Sequence, residues 1–339
     1  MMNIRQAIEI LVNRNNLSEA QTIDVMNQIM SGEASPLQVA SFLTALRMKG
    51  ETVEEITGAA RVMREKAHRV EVGFKAVLDT CGTGGDQKGT FNISTATAFV
   101  VAGAGVDVAK HGNRSVSSQS GSADVLAALG VKIDTPKERV EACIEKIGIG
   151  FLFAPLLHEA MKYAVQPRRD IGIRTVFNLL GPLTNPAMAK YQLIGLYSGD
   201  LVVAIAHVLK NLGSARAMVV HGMEGLDEIS LCGPTRVAEL RDGRVREYTI
   251  EPEQIGLKPC RLEELHGGSP AQSAAIVQGV LQGDRGPARD VVLLNSGAAL
   301  YVSGKAETIE GGVRLAAHSI DSGRARQKLE QLAQMTSTA

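Results

Sequence analysis

The sequence predicts an α/β protein: a small all-helical domain, then a large α/β domain with a central mixed, mainly parallel sheet. Three observations carry that expectation. Residues 1–72 hold helix signals only. Beyond them short β-type runs alternate with helix-forming stretches. Asp242-Gly243, set in the turn Arg241 to Arg244, marks a hairpin, which makes one part of the sheet antiparallel. With 339 residues, 45% of them hydrophobic, the chain is long enough for two domains and an ample core. Its 36 basic residues balance 36 acidic ones, which argues against nucleic-acid binding by bulk attraction. The longest apolar stretches, 96–106 and 201–209, fall well short of the roughly 18 residues a membrane helix needs. The N-terminus, with Arg5 and Glu9, has no signal-peptide core, so a soluble cytoplasmic protein is expected. The four cysteines, Cys81, Cys143, Cys232 and Cys260, lack metal or disulfide spacing, in keeping with a reducing compartment.

Within residues 1–72, Ser18 with Gln21 and Thr52 with Glu55 fit capping boxes, and Ser35-Pro36 puts a cap before a proline at the first helical position. Gly32 and Gly50 close two of the helices. The expected result is a unit of about four helices without an obvious catalytic group. Leu11, Val25, Met26, Ile29, Phe42, Leu43 and Leu46 recur at helical spacing and read as core. An apolar stripe left on the surface would serve a homodimer.

Residues 79–122 are the stretch around which the rest is organised. A β-type run at 76–78 leads into Cys81 through Asp86, where three glycines in six positions let backbone N–H groups approach an anion closely. Asn92-Ile93-Ser94-Thr95 then precedes the apolar run 96–106. Ser94 or Thr95 is placed to cap a helix whose positive end would point back at the glycine loop. A second β-type run, 106–109, delivers Lys110-His111-Gly112-Asn113-Arg114, and the hydroxyl-rich run 115–122 ends at another expected helix start. Three such elements side by side make a cradle for a polyanion, with phosphate the expected group. It is neither of two familiar phosphate loops: after Gly103 and Gly105 the dinucleotide fingerprint needs glycine where Val108 stands, and Lys88 precedes Gly89 rather than following it as in a P-loop. Cys81 has no histidine or acid beside it in sequence to make it a nucleophile.

The remaining elements follow in order. Thr135-Pro136 with Glu138 starts a helix that Gly148 stops, and 150–153 is a buried strand. Residues 190–197, 215–221 and 236–240 read as further strands, with a helix at 201–212. Residues 271–282, 287–302 and 324–335 are helical. Arg168, Arg169 and Arg174 cluster near a proline break, and a planar guanidinium suits a carboxylate bidentately. The turn after His221 carries Asp227-Glu228. Two carboxylates facing a bound phosphate group would repel it by about 4 kcal/mol per close charge pair at an intermediate dielectric, so a divalent cation must lie between them if they do face it. Mg²⁺ favours such oxygen ligands.

Gly82-Thr83-Gly84-Gly85-Asp86, Asn92-Ile93-Ser94-Thr95 and Lys110-His111-Gly112-Asn113-Arg114 resemble the signature loops of the anthranilate phosphoribosyltransferases, and the likeness continues through 155–186 to Gly181-Pro182-Leu183-Thr184-Asn185-Pro186. The resemblance implies transfer of the 5-phosphoribosyl group from 5-phosphoribosyl 1-pyrophosphate to the amine of anthranilate, in tryptophan biosynthesis. It implies a small domain of residues 1–72 completed by parts of 155–190, hinged to a large domain of 73–339. The donor would lie on Gly82, Gly84, Gly85, Asp86, Thr90, Asn92, Ser94, Thr95, Lys110 and Ser122. The acceptor would lie near Gly82, His111, Asn113, His158, Tyr163 and Pro182, with Arg168 on its carboxylate. Two Mg²⁺ ions per subunit would be held by Ser94, Asp227 and Glu228, and Lys110 would share with the acidic pair the stabilisation of the leaving group. The sequence departs from the pattern at Gln119, where relatives commonly carry lysine, so Gln119→Lys is expected to lower the Michaelis constant for the donor.

The nearest rival is a pyrimidine nucleoside phosphorylase of similar architecture, which needs no acidic metal loop; Asp227-Glu228 speaks against it. A non-catalytic nucleic-acid-binding relative is opposed by the neutral charge. Small-molecule substrates and a homodimer are the expected partners, without nucleic acid or membrane, and nothing in the sequence supports a glutamine amidotransferase partner.

Overall fold

A computed structural model describes residues 1–73, 75–115 and 120–337. The chain opens with four helices, Ile4–Val12, Glu19–Met30, Pro36–Lys49 and Val53–Lys66. Each begins with a capping box: Asn3 with Gln6, Ser18 with Gln21, Ser35 with Gln38, and Thr52 with Glu55. These reciprocal bonds satisfy amides that helix geometry leaves without partners. Glu55 does more than cap. Fully buried, it accepts from the Thr52 amide at 2.8 Å, the Leu17 amide at 2.9 Å and the Lys49 ammonium at 2.9 Å, so it ties three segments of the bundle together.

The sheet has seven strands: β1 (Leu78–Asp79), β2 (Val108–Gly112), β3 (Ile149–Phe153), β4 (Tyr191–Gly195), β5 (Arg216–Gly222), β6 (Thr235–Arg241) and β7 (Arg244–Ile250). Their spatial order is β3-β2-β1-β4-β5-β6-β7. The first five pair in parallel, and β6 and β7 join them antiparallel. The hairpin turn has Asp242 at φ 51° and Gly243 at φ 70°, the two left-handed residues that a tight turn between twisted strands requires. The order reverses at β1 and β4, and an α/β sheet opens a crevice beyond the strand ends at such a point.

Two expectations about elements need correction. The helix after the glycine loop, Ile93–Gly103, has Asn92 rather than Ser94 or Thr95 at its N-cap position, and the Asn92 side chain makes no capping bond to the helix amides. The Asn92 carboxamide oxygen accepts from the Thr95 hydroxyl, which turns Thr95 inward, where it is fully buried. A helix at Ile309–Asp321 was not expected. Its first turn contains Gly311-Gly312, which argues against helix locally; a Cβ at Gly312 would run into the backbone of Gly297 on the helix Pro287–Val302. The glycines are there for close helix crossing.

One apolar core packs helices 93–103, 287–302, 309–321 and 324–337 on one side of the sheet. A second runs without a break from Phe42, Leu43 and Ile56 of the N-terminal helices through Ala164 and Phe177 to Ile194, Val219 and Ala238 on β4, β5 and β6. The helix Lys162–Ile171 puts Ala164 into this second core and packs against the helices Pro36–Lys49 and Glu19–Met30. Among the described residues no helix is long and apolar enough to cross a membrane.

Candidate active site

The carboxyl ends of β1, β2, β4 and β5 open into a cavity of about 340 Å³. The loop after β1 supplies Gly82, Gly84, Gly85 and Asp86. Gly84 and Gly85 hold φ of 65° and 78°, which residues with a Cβ rarely adopt. This loop is anchored by backbone contact. A Cβ at Gly82 would lie 2.9 Å from the Gly195 carbonyl, and a Cβ at Gly195 would overlap the Asp227 carbonyl outright. Only glycine at both positions lets the glycine loop, the end of β4 and the acidic loop stack this closely.

The acidic loop carries Asp227 and Glu228 into the cavity. The backbone amides of Gly84 and Ser94 favour the charged forms of Asp227 and Glu228 respectively. Asp86 lies alongside, its Oδ2 3.4 Å from the Asp227 amide. Burial, and then the charge of Asp86, push the Asp227 carboxyl up to about 8. Burial, and then Asp227, raise Glu228 well above the usual carboxylate range. Buried acids that repel one another in this way are relieved by a divalent cation, and the surrounding donors are oxygens, including the Ser94 hydroxyl. The site therefore fits Mg²⁺.

Lys110, in the middle of β2, is 3% exposed and donates to the Ser94 hydroxyl at 3.2 Å and the Thr80 hydroxyl at 3.4 Å. Thr90, Asn92 and Ser122 also line the cavity. Thr90 bridges to His266, and the Asn92 amide donates to the Ser273 hydroxyl at 2.9 Å. Behind this wall Asp79 is fully buried, its carboxylate accepting from the amides of Cys81 and His111, each at 3.1 Å, and from Asn185 at 2.7 Å. Burial outweighs the neighbouring Lys110 and raises Asp79 to about 6. Asp79, Cys81 and His111 are close enough to suggest a metal group, but the carboxylate is already taken by these three donors and serves as a structural knot. Burial, with Asp79 next in effect, pushes the Cys81 thiol far up. It is no nucleophile.

On the opposite side His111, Asn113, Arg168 and Pro182 line the cavity. His111 Nδ1 lies 3.0 Å from the Gly181 carbonyl, so Nδ1 carries the proton and Nε2 is an acceptor, buried without a partner. Burial, then the neighbouring His158, lower His111 to about 3. The Arg168 guanidinium stands 5.2 Å over the Phe177 ring, and burial alone lowers its pKa. Arg174 stands 4.1 Å over the Tyr197 ring and donates to the Gly85 carbonyl. Arg169 is exposed and lies outside the cavity.

Three expected contacts are not on the cavity wall. Thr95 is turned toward Asn92. His158 is buried behind His111, their ring centroids 5.2 Å apart. Tyr163 is 40% exposed and packs over Gly32 of the helical unit. Gln119 lies outside the described residues. Conversely, nothing in the sequence signalled Phe177, Asn178 and Tyr197, which line the cavity. Nor did it assign chemistry to Asn295, whose fully buried carboxamide accepts from the Ile229 amide at 3.0 Å and donates to its carbonyl at 2.9 Å, fixing the acidic loop one residue past Glu228.

A helical bundle joined to an α/β domain, with a phosphate-type cradle at the strand ends, is the arrangement of a glycosyltransferase family. The family model for its helical bundle domain matches residues 5–67, and that for its a/b domain matches 75–326. The chain belongs, within that class, to the anthranilate phosphoribosyltransferase family. It is 57% identical to the anthranilate phosphoribosyltransferase of Syntrophotalea carbinolica over 98% of this chain and 99% of the relative, and 54% identical to that of Geotalea uraniireducens over the same shares. Among solved structures, the Thermus thermophilus enzyme superposes with a TM-score of 0.93 at 44% identity, covering 98% of this chain and 99% of that one. The Saccharomyces cerevisiae enzyme in complex with PRPP and Mg superposes with a TM-score of 0.91 at 29% identity, covering 99% and 98%.

Proposed function

We propose that the chain transfers the 5-phosphoribosyl group of 5-phosphoribosyl 1-pyrophosphate to the amine of anthranilate, giving N-(5-phosphoribosyl)anthranilate and pyrophosphate in tryptophan biosynthesis. The observation that carries this reading is the gathering of Asp227 and Glu228 with the glycine loop and Ser94 in one cavity that Arg168 also lines. Relatives of the same name include one solved with 4-fluoroanthranilate, at 28% identity and a TM-score of 0.89.

The arylamine is already a nucleophile, so catalysis rests on alignment and on stabilising the leaving group. The glycine loop and the helix end at Ser94 hold the pyrophosphate, and Lys110 places a buried positive charge beside it. Arg168 binds the acceptor carboxylate, while Pro182 and Asn113 border the ring. His111 Nε2, an acceptor with no internal partner, is suited to receive an N–H of the amine. Asp227, Glu228 and Ser94 would hold two Mg²⁺ ions, which would supply positive charge to the leaving pyrophosphate. Movement of residues 1–72, with parts of 155–190, against 73–339 excludes water that would hydrolyse the donor. The chain acts as a cytoplasmic homodimer in this reading. Its four free cysteines support the compartment, and Val12, Leu37 and Met48, exposed by 65%, 81% and 66% on the helical unit, support the pairing.

The test follows the loss of anthranilate fluorescence on adding donor, with and without Mg²⁺, beside Asp227→Asn. Mg²⁺-dependent loss that the variant largely abolishes is expected. A flat signal from folded protein at saturating substrates overturns the assignment.

A further inference from the structure

Three guanidiniums line the cavity; that of Arg114 is paired with Asp124, and the other two are held differently. Arg168 lies over Phe177 with burial as the single influence on its pKa. Arg174, six residues on, is engaged at both its face and its edge. Its face stacks on Tyr197 with 4.1 Å from the guanidinium carbon to the ring centroid, and its edge donates to the Gly85 carbonyl. Tyr197 is itself fixed: its amide donates to the Thr83 hydroxyl at 3.1 Å, and the Thr83 amide donates to the Gly195 carbonyl at 2.9 Å. Its ring is also close enough to Arg47 and Glu51, at the end of the helix Pro36–Lys49, to feel their charges.

These contacts close a ring of four parts: the segment that carries Arg168, the ring of Tyr197, the end of β4 and the glycine loop. Gly85 sits at φ 78° and its neighbour Gly84 at φ 65°, conformations that glycine leaves as readily as it enters. Something outside the loop must select them. Because a trans peptide sets C=O and N–H on opposite sides, pulling the Gly85 carbonyl toward Arg174 turns the Asp86 amide away from it.

The geometry points to Arg174 as a positioning residue: seated on Tyr197, it clamps the Gly85 carbonyl and so sets the glycine loop in its donor-binding shape from the acceptor side of the cavity. This rests on the phosphoribosyl-transfer reading. A guanidinium is required rather than any cation, because an ammonium has no planar face to lay on the ring.

The experiment compares wild type with Arg174→Met, Arg174→Lys, Tyr197→Leu and Tyr197→Phe in two measurements: kcat and KM for each substrate, and amide hydrogen exchange over residues 82–89 without substrates. Arg174→Met and Tyr197→Leu are expected to raise the donor KM about tenfold, the size of one lost stacking contact and one lost charged hydrogen bond. They should leave the acceptor KM within about twofold and speed exchange over 82–89. Tyr197→Phe keeps the ring face and should match wild type, whereas Arg174→Lys should resemble Arg174→Met. A rise in acceptor KM with unchanged donor KM and unchanged exchange makes Arg174 an acceptor ligand and overturns the proposal. So does an Arg174→Lys that behaves as wild type. If wild type shows no transfer, the functional reading fails, and the exchange measurement still decides whether Arg174 holds the loop.

Discussion

Gly195, the last residue of β4, and Asp227 of the acidic loop meet backbone to backbone, with the Asp227 carbonyl occupying the space where a Cβ on Gly195 would stand. The position of the acidic pair is thus set by the absence of a side chain on a neighbouring strand. Gly195→Ala must displace the loop. Overpacking of this kind costs about 1–3 kcal/mol, so the variant is expected to melt several degrees lower and to bind Mg²⁺ at least about tenfold more weakly in a titration. A variant with wild-type Mg²⁺ affinity would show that the loop moves without consequence.

Burial, and then the charge of Asp86, push the Asp227 carboxyl up to about 8. At neutral pH it therefore carries a proton that a bound cation must expel. Mg²⁺ affinity is expected to rise as the pH approaches 8. Calorimetry at pH 7 in two buffers of different ionisation enthalpy should give different apparent heats. Equal heats would contradict a protonated Asp227.

His158 is held at about 4 and His111 at about 3, chiefly by burial, against roughly 6.5 for an exposed histidine. A group depressed in the folded state binds fewer protons there than in the unfolded chain. Its stabilising contribution is complete above about pH 6.5 and is lost as the pH falls toward about 4; at pH 5 the loss is about 2 kcal/mol for each histidine. Asp79, raised to about 6, acts in the opposite direction, favouring the fold at low pH and losing that effect as the pH rises through about 6. It is common to wild type and His158→Gln and cancels in their difference. Urea unfolding from pH 7 to pH 4.5 should show stability falling less steeply in the variant.

Asn295 grips the Ile229 backbone with both a donor and an acceptor, and its amide also donates to the Val291 carbonyl at 2.9 Å. Asn295→Asp puts a carboxylate against two carbonyls in a fully buried position. Destabilisation of about 3 kcal/mol or more is expected by chemical denaturation, with a larger loss of activity than in Asn295→Ser.

The parts of the fold legible in the sequence were those with local causes. Ser18 with Gln21 and Thr52 with Glu55 announce helix starts because both members of each bond lie within one turn. Asp242-Gly243 announces its hairpin because two left-handed residues are needed at once. The helix at 309–321 was illegible, since Gly312 in its first turn makes sense only beside Gly297. In the site, the glycine and hydroxyl loops could be recognised from composition and spacing alone. Tyr197, Phe177 and Asn295 come from elsewhere in the chain and act through packing that no spacing encodes. Thr95 stands in a run of polar residues that suggested a ligand, but a carboxamide three residues earlier claims its hydroxyl.

The apolar core that runs from Phe42 to Ala238 has a consequence for biosynthesis. The four N-terminal helices end at Lys66, whereas the helix Val202–Asn211 that covers them ends at Asn211. At about 5–20 residues per second, the ribosome needs on the order of ten seconds to deliver the missing wall. Throughout that interval the nascent helices hold their apolar faces open to solvent, supported mainly by one another and by their capping boxes. A chain stalled in this window presents the same sticky surface that the finished protein keeps inside, which makes the early bundle a natural client for a ribosome-associated chaperone.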